Sequence, residues 1–426
     1  MNIVKKEGFS GLLWILLLLT PMISKADTYG DFNYKTNESG VTITGYSGSG
    51  DVVTIPQYIP VAIDTNSSVE LPVTSIGDKA FYYMGRTKSI TIPDSVTNIG
   101  NFAFFSCMGL TNINIPNGVT SIGTNAFFRC TKLTNITIPY GVNFIRSNAF
   151  CYCTNLVNIT IPESITSIEG GTFCYCSSLT NVTIPNSVTN IGDDAFCNCD
   201  SLTTIIIPDS VKNIGRFVFD GDINLTSVVM GNAVTSFGTS MFSYCINLTN
   251  ITIPNSVVSI GEEAFSSCCR LTSITIPSSV TQIGYFAFSG CTNLVSAYFQ
   301  GDALSSLPGY PLTSVFYKTA DDFSIYYPAT ASGWSTPKWN GYSAYPYDYQ
   351  PQTQRPLIGL KQNRGTITPM FSQLKSGISY QLQISSDLSH WTNMGTTFTG
   401  TNDAPADLPS FPMTNACLFF RLQAAP

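Results

Sequence analysis

Thirteen cysteines stand against a single histidine in this chain, so a histidine-based catalytic or metal centre has only His390 to draw on and sulfur is the more abundant candidate. Eight of the cysteines recur at one phase: Cys107, Cys130, Cys153, Cys176, Cys199, Cys245, Cys268 and Cys291. Three more precede them by two residues, giving the C-x-C pairs Cys151/Cys153, Cys174/Cys176 and Cys197/Cys199. Six sulfurs at such spacing could bind zinc in principle. The second column, however, continues as Phe105 and Phe128 on one side and as Asp220, Ser243 and Ser266 on the other, which marks a tolerant packing position. A strictly periodic cysteine points inward each time and packs as a small apolar residue. The expectation is therefore a column of core thiols and no metal or cofactor. Neighbouring rungs about 4.8 Å apart permit a disulfide on distance, but parallel side chains make one awkward. The odd count leaves at least one thiol free or paired between chains.

Other catalytic arrangements are missing. Ser-His-Asp or Cys-His chemistry needs a histidine beside the nucleophile, and only His390 exists. Asp193/Asp194 and Glu262/Glu263 are sequence neighbours whose side chains diverge, which suits solvated charge better than paired acid–base work. Asp220-Gly221-Asp222-Ile223-Asn224 resembles the start of a calcium loop but lacks the later glycine and glutamate. It coincides with other departures from pattern at Gly231 and Phe237 and reads as a degenerate turn. The glycines have no phosphate-loop context. The chain is expected not to be an enzyme. With 20 Lys+Arg against 26 Asp+Glu there is no basic stripe for nucleic acid.

The cysteines are placed by a 23-residue period. Phenylalanine recurs from Phe81 through Phe104, Phe127 and Phe150 to Phe288 without a slip, and leucine from Leu110 to Leu294. Each unit begins L-x-x-I-x-I-P, as in Leu133, Ile136, Ile138 and Pro139. Residues two apart share one face of a strand, and proline ends the strand because it cannot donate to the ladder. A second apolar pair, such as Val119 and Ile122, suits another narrow strand. The A-F-x-x-C segment that follows suits a turn or a short helical stretch. One unit cannot bury its apolar face alone, whereas stacked units form one long core. Glycine occupies one position in eight of ten units, which points to a positive φ or tight packing there, and Arg146 and Glu169 are the exceptions.

This pattern resembles the BspA-type leucine-rich repeat over Ile76 to Leu294. The resemblance implies a repeat solenoid: a right-handed coil of parallel β-strands with short turns or helical segments, and for function a secreted or surface binding scaffold. VTITGYSGSGDVVTIP before the array looks like the family's N-terminal cap. AYFQGDA, SVFY and IYYPATASGW after it look like a C-terminal closing region, whose aromatic density fits a lid over the last rung. The expected organisation is a signal peptide over 1–26, an N-terminal β cap over 27–75 and repeats over 76–294. A C-terminal cap over 295–344, a linker over 345–356 and a small all-β domain over 357–426 complete it. The leader is read from Lys5 and Lys6, the apolar run Leu12 to Leu19 and the small-residue site ending at Ala26. Its removal takes away three positive charges and one negative, moving the formal charge from −6 to −8, and leaves no apolar span.

What remains variable is the outward side of the first strand. Asn135, Asn158 and Asn181 form one column, and Thr137, Thr160, Thr183, Ile206, Val229 and Thr252 a second. This uncharged surface of amides, hydroxyls and methyls is inexpensive to desolvate and is the candidate binding face. Its expected partner is an extracellular protein or polysaccharide, as in adhesion to a cell surface. A self-assembling structural protein and carbohydrate binding by the C-terminal region are the alternatives.

Overall fold

The structure is a computed structural model that describes residues 27–304 and 314–347, together with 357–363, 366–372, 379–385, 392–399, 411–412 and 419–424. It forms two compact units, 1–346 and 347–426. The expected leader, the linker beyond Tyr347, His390 and Cys417 lie outside the described residues.

The first unit is a β-solenoid of about eleven rungs. Each 23-residue repeat supplies a first strand of two to four residues, such as Asn135–Thr137, and a second of two, such as Phe144–Ile145. Both pair in parallel with their counterparts one repeat away, Asn135 with Asn158 and Ser121 with Phe144. In the first strand the middle residue is buried and its neighbours exposed, as the i, i+2 alternation requires. The first-strand ladder runs in groups of three: Val52–Thr54 with Ser89–Thr91 and Asn112–Asn114, then the strands at 135, 158 and 181, then those at 204, 227 and 250. The coil also extends past the regular repeats. Ser296–Phe299 and Ser324–Pro328 continue the parallel ladder from Ser273–Ile276, and Gly40–Tyr46 pairs in parallel with Ser68–Ile76.

No helix occurs among the described residues, so the A-F-x-x-C segment is all turn. Two positions in nearly every rung take the left-handed conformation. One runs through Lys79, Phe102, Asn125 and Asn148, the other through Tyr83, Ser106, Arg129 and Tyr152, with φ between 55° and 63° in these. Isolated left-handed residues break any helix. They also turn alternate amides outward along the coil: the N–H groups of Lys79, Phe81 and Tyr83 donate to the carbonyls of Asn101, Ala103 and Phe105 in the next rung, at 2.9, 2.7 and 2.8 Å. Intermediate amides donate within the rung, as Tyr82 does to Lys79. The rungs thus satisfy most of their buried backbone groups through their neighbours, which outweighs the local cost of left-handed non-glycine residues.

The core is a set of parallel columns. From Phe81 to Phe288 the rings stack at 5.1 to 5.8 Å, with Tyr46 continuing the stack at one end and Phe316 at the other. The ends are therefore closed by aromatic side chains of the flanking segments. Trp334 packs on Tyr327 at 4.8 Å and on Trp339 at 4.5 Å, and its indole N–H donates to the Gly301 carbonyl.

The glycine column is explained by close packing, because none of Gly77, Gly100, Gly123 or Gly192 has a positive φ. A Cβ on Gly123 would lie 2.5 Å from the Gly100 carbonyl carbon and 2.6 Å from the Asn101 nitrogen. At the two exceptions, Arg146 and Glu169 pair with each other at 2.9 Å, and Glu169 also accepts from the Ser147 amide at 2.8 Å.

In the second unit, Leu357–Asn363, Thr366–Ser372 and Phe411–Pro412 form one antiparallel sheet. Ser379–Ser385 lies between Thr392–Thr399 and Phe419–Ala424 in another.

Candidate functional site

The columns on the coil separate interior from exterior. All eight cysteines of the main column are buried, and each Sγ donates to the phenylalanine carbonyl of the preceding rung at 3.0 to 3.3 Å. The thiols are therefore spent as hydrogen-bond donors inside the coil. Burial pushes Cys107 and Cys153 up to about 12, so thiolate is scarce at neutral pH and these groups are poor nucleophiles. We expect iodoacetamide at pH 8 to leave this column unmodified in the folded protein and, among the described cysteines, to label the half-buried Cys269 first. Unfolding in guanidinium should then expose all twelve described thiols to labelling, counted by mass spectrometry.

Cys151, Cys174 and Cys197 form a separate small cluster capped by Phe128. Cys174 contacts both neighbours; the hydrogen bond with Cys151 is the largest cause of its raised pKa, and Cys197 is raised chiefly by its bond with Cys174. The Asn198 amide donates to the Cys197 sulfur at 2.8 Å. Each of the twelve described cysteines is a free thiol. Among the described residues no three Cys, His, Asp or Glu side chains converge closely enough to hold a metal ion.

Outside, the first-strand face is as uncharged as its sequence. Asn135, Asn158 and Asn181 and Thr137, Thr160 and Thr183 are exposed and lie side by side on one ladder. Ile206 and Val229 lie opposite each other on the next ladder, 65% and 56% exposed. Thr252 is exposed just beyond the third strand of that ladder, Asn250–Ile251.

A second exterior feature follows from the turns rather than the strands. Tyr82, Phe105 and Phe128 stack at 5.0 and 4.9 Å; Tyr152 continues the row at 5.4 Å and Tyr175 stacks on it at 4.4 Å. Tyr83 flanks the start, 4.3 Å from Tyr82 and 60% exposed. This ridge did not emerge from the sequence because its members occupy two adjacent repeat positions. The row passes from the position before the left-handed residue to the left-handed residue itself between Phe128 and Tyr152. Tabulating aromatics at both positions together would have found it.

The family model for the BspA type leucine-rich repeat region, in six copies, matches residues 64–180 and 166–295. No curated protein matches. Among solved structures, the chain is similar to a leucine-rich cell surface protein of Faecalibacterium prausnitzii. The two are 29% identical over 68% of this chain and 98% of that one, with a TM-score of 0.40. A leucine-rich repeat protein of Bacteroides ovatus is 25% identical over 71% of this chain and 100% of its own, with a TM-score of 0.34. The T. pallidum leucine-rich repeat protein is 31% identical over 53% of this chain and 92% of its own, with a TM-score of 0.37. Matched by that family model over more than half its length, the chain belongs to the BspA-type leucine-rich repeat family.

Proposed function

We propose that this protein is an exported, non-enzymatic scaffold that binds an extracellular protein or polysaccharide through the outward first-strand face. The observation that carries this reading is the paired exposure of Ile206 and Val229 on an otherwise polar, uncharged surface. Apolar anchors ringed by groups that are inexpensive to desolvate are the usual anatomy of a contact centre. Family membership supports the scaffold role, and the leader-like first 26 residues support export.

The tyrosine ridge favours a second reading, in which the turns make the contact. Ring planes within 5° at Tyr152 and Tyr175 cover one another's facing sides and leave mainly edges and hydroxyls to solvent. Tyrosines presented this way suit a protein partner better than a sugar, which stacks on open ring faces.

One experiment separates the two. The chain without its first 26 residues is screened on glycan and extracellular-protein arrays, and the ligand found is titrated against two variants. Combined alanine substitution of Thr137, Thr160, Ile206 and Val229 should weaken binding at least tenfold with the melting temperature preserved, since these side chains touch no core. If affinity survives there and falls in Tyr152→Ala/Tyr175→Ala, the ridge is the contact and the strand face is not.

A further inference from the structure

Asp222 occupies the position that cysteine holds in eight of the ten repeat units, Met84 filling it in the first, and it is wholly buried. Its surroundings show what the replacement does. In eight rungs the thiol of this column donates to the phenylalanine carbonyl of the rung before, and an amide of that earlier rung donates to the same carbonyl, as the Cys176 amide does to Phe173. At Asp222 both bonds fail together. Oδ1 accepts the Cys199 amide at 2.7 Å, drawing that N–H away from Phe196. Among the described hydrogen bonds none reaches the Phe196 carbonyl. Oδ2 is buried without a partner. Two buried acceptors are therefore left without a donor where every comparable rung has one, and each such orphan is costly.

A cation or a proton would resolve this. No three His, Cys, Asp or Glu side chains converge here among the described residues to hold a metal ion, whereas a single proton turns Oδ2 into a donor where the other rungs place a thiol donor. We propose that Asp222 is held as a neutral carboxylic acid whose proton joins Oδ2 to the Phe196 carbonyl, as the thiol proton does in other rungs, making this rung a proton-dependent joint in the coil.

The titratable groups facing Asp222 are the thiols of Cys197, Cys199 and Cys245 and the carboxyls of Asp200 and Asp220, and no cation is among them. Burial, the largest cause, raises Asp222 well above the ordinary carboxylate range, with like charges at Asp200 and Asp220 adding to it. A carboxyl whose folded pKa is raised contributes its full stability below the unfolded value of about 3.9, and that contribution falls as pH climbs toward the folded pKa. Each unit of pH in that window multiplies the opening equilibrium of the rung by up to about tenfold.

The test is hydrogen exchange on peptides spanning 196–229 of the full chain between pH 4 and 8, corrected for intrinsic exchange rates. The wild type should lose protection with rising pH. Asp222→Asn, which keeps the acceptor for Cys199 and adds a donor for Phe196, should lose less, and Asp222→Cys, which restores the repeat, should behave likewise. Contributions from Asp200 and Asp220 persist in both variants, so the difference belongs to Asp222. Should one variant fold poorly, the other decides. Equal pH slopes in wild type and variant, or a flat wild type, overturn the proposal. So does slowed opening on adding calcium at pH 7, which would mean the unpaired oxygen takes a cation. None of these outcomes depends on the binding face.

Discussion

Phe173→Ala will cost about 3–5 kcal/mol, the range for deleting a fully buried ring whose surroundings relax only partly. The ring is completely buried and lies between Phe150 at 5.8 Å and Phe196 at 5.5 Å, so its removal opens a gap in the middle of the stack. Rungs contact only their neighbours, and stability is a sum of local interfaces. The loss should therefore divide the coil rather than lower it uniformly. A denaturation curve followed by fluorescence should broaden or split, and exchange protection should fall first at rungs adjoining residue 173. A single sharp transition with an unchanged midpoint would contradict a core built from this column.

The second large effect is expected at Gly123→Ala. The added Cβ meets backbone atoms of the preceding rung at 2.5 and 2.6 Å. Backbone cannot swing aside as a flexible side-chain end can, so the two rungs must separate, breaking the Gly123 amide bond to the Ile99 carbonyl at 2.9 Å. We expect a loss of about 3 kcal/mol, the upper end for overpacking. Gly85→Ala is the control. Its nearest neighbour would be the Tyr83 carbonyl at 4.0 Å, so the change should stay within about 0.5 kcal/mol. Urea midpoints of the two variants measure the contrast, and similar losses in both would mean that the glycine column is kept for another reason.

Much of this architecture was legible in the sequence because its columns are one-dimensional. Phe81 to Phe288, Leu110 to Leu294 and the cysteines repeat at one interval, and only stacking buries all of them at once. Arg146 and Glu169 stood out as exceptions, but their mutual salt bridge did not, because it depends on the height of one rung and the reach of two side chains. Of the two readings of the glycine column, a positive φ or tight packing, the structure has tight packing. The left-handed residues are Lys79, Phe102, Tyr83, Ser106 and their successors, mostly residues that do not favour that conformation, so local preference was no guide. Their conformation follows from hydrogen bonds between rungs.

Asp222 and the tyrosine ridge show the same division. An aspartate in a cysteine column looks in sequence like a lapse in the repeat or the start of a calcium loop. In the fold it is a buried carboxyl lacking one hydrogen-bond partner, beside a carbonyl lacking its donors. The period by itself established stacking, the inward columns, the parallel strands and the variable outward face, because regular burial requires regular spacing. Tertiary structure alone decided which amides cross between rungs, where the coil ends, which exposed rings touch and which buried oxygen lacks a partner. Those depend on distances across rungs, between residues 20 or more apart along the chain, and no local pattern encodes them.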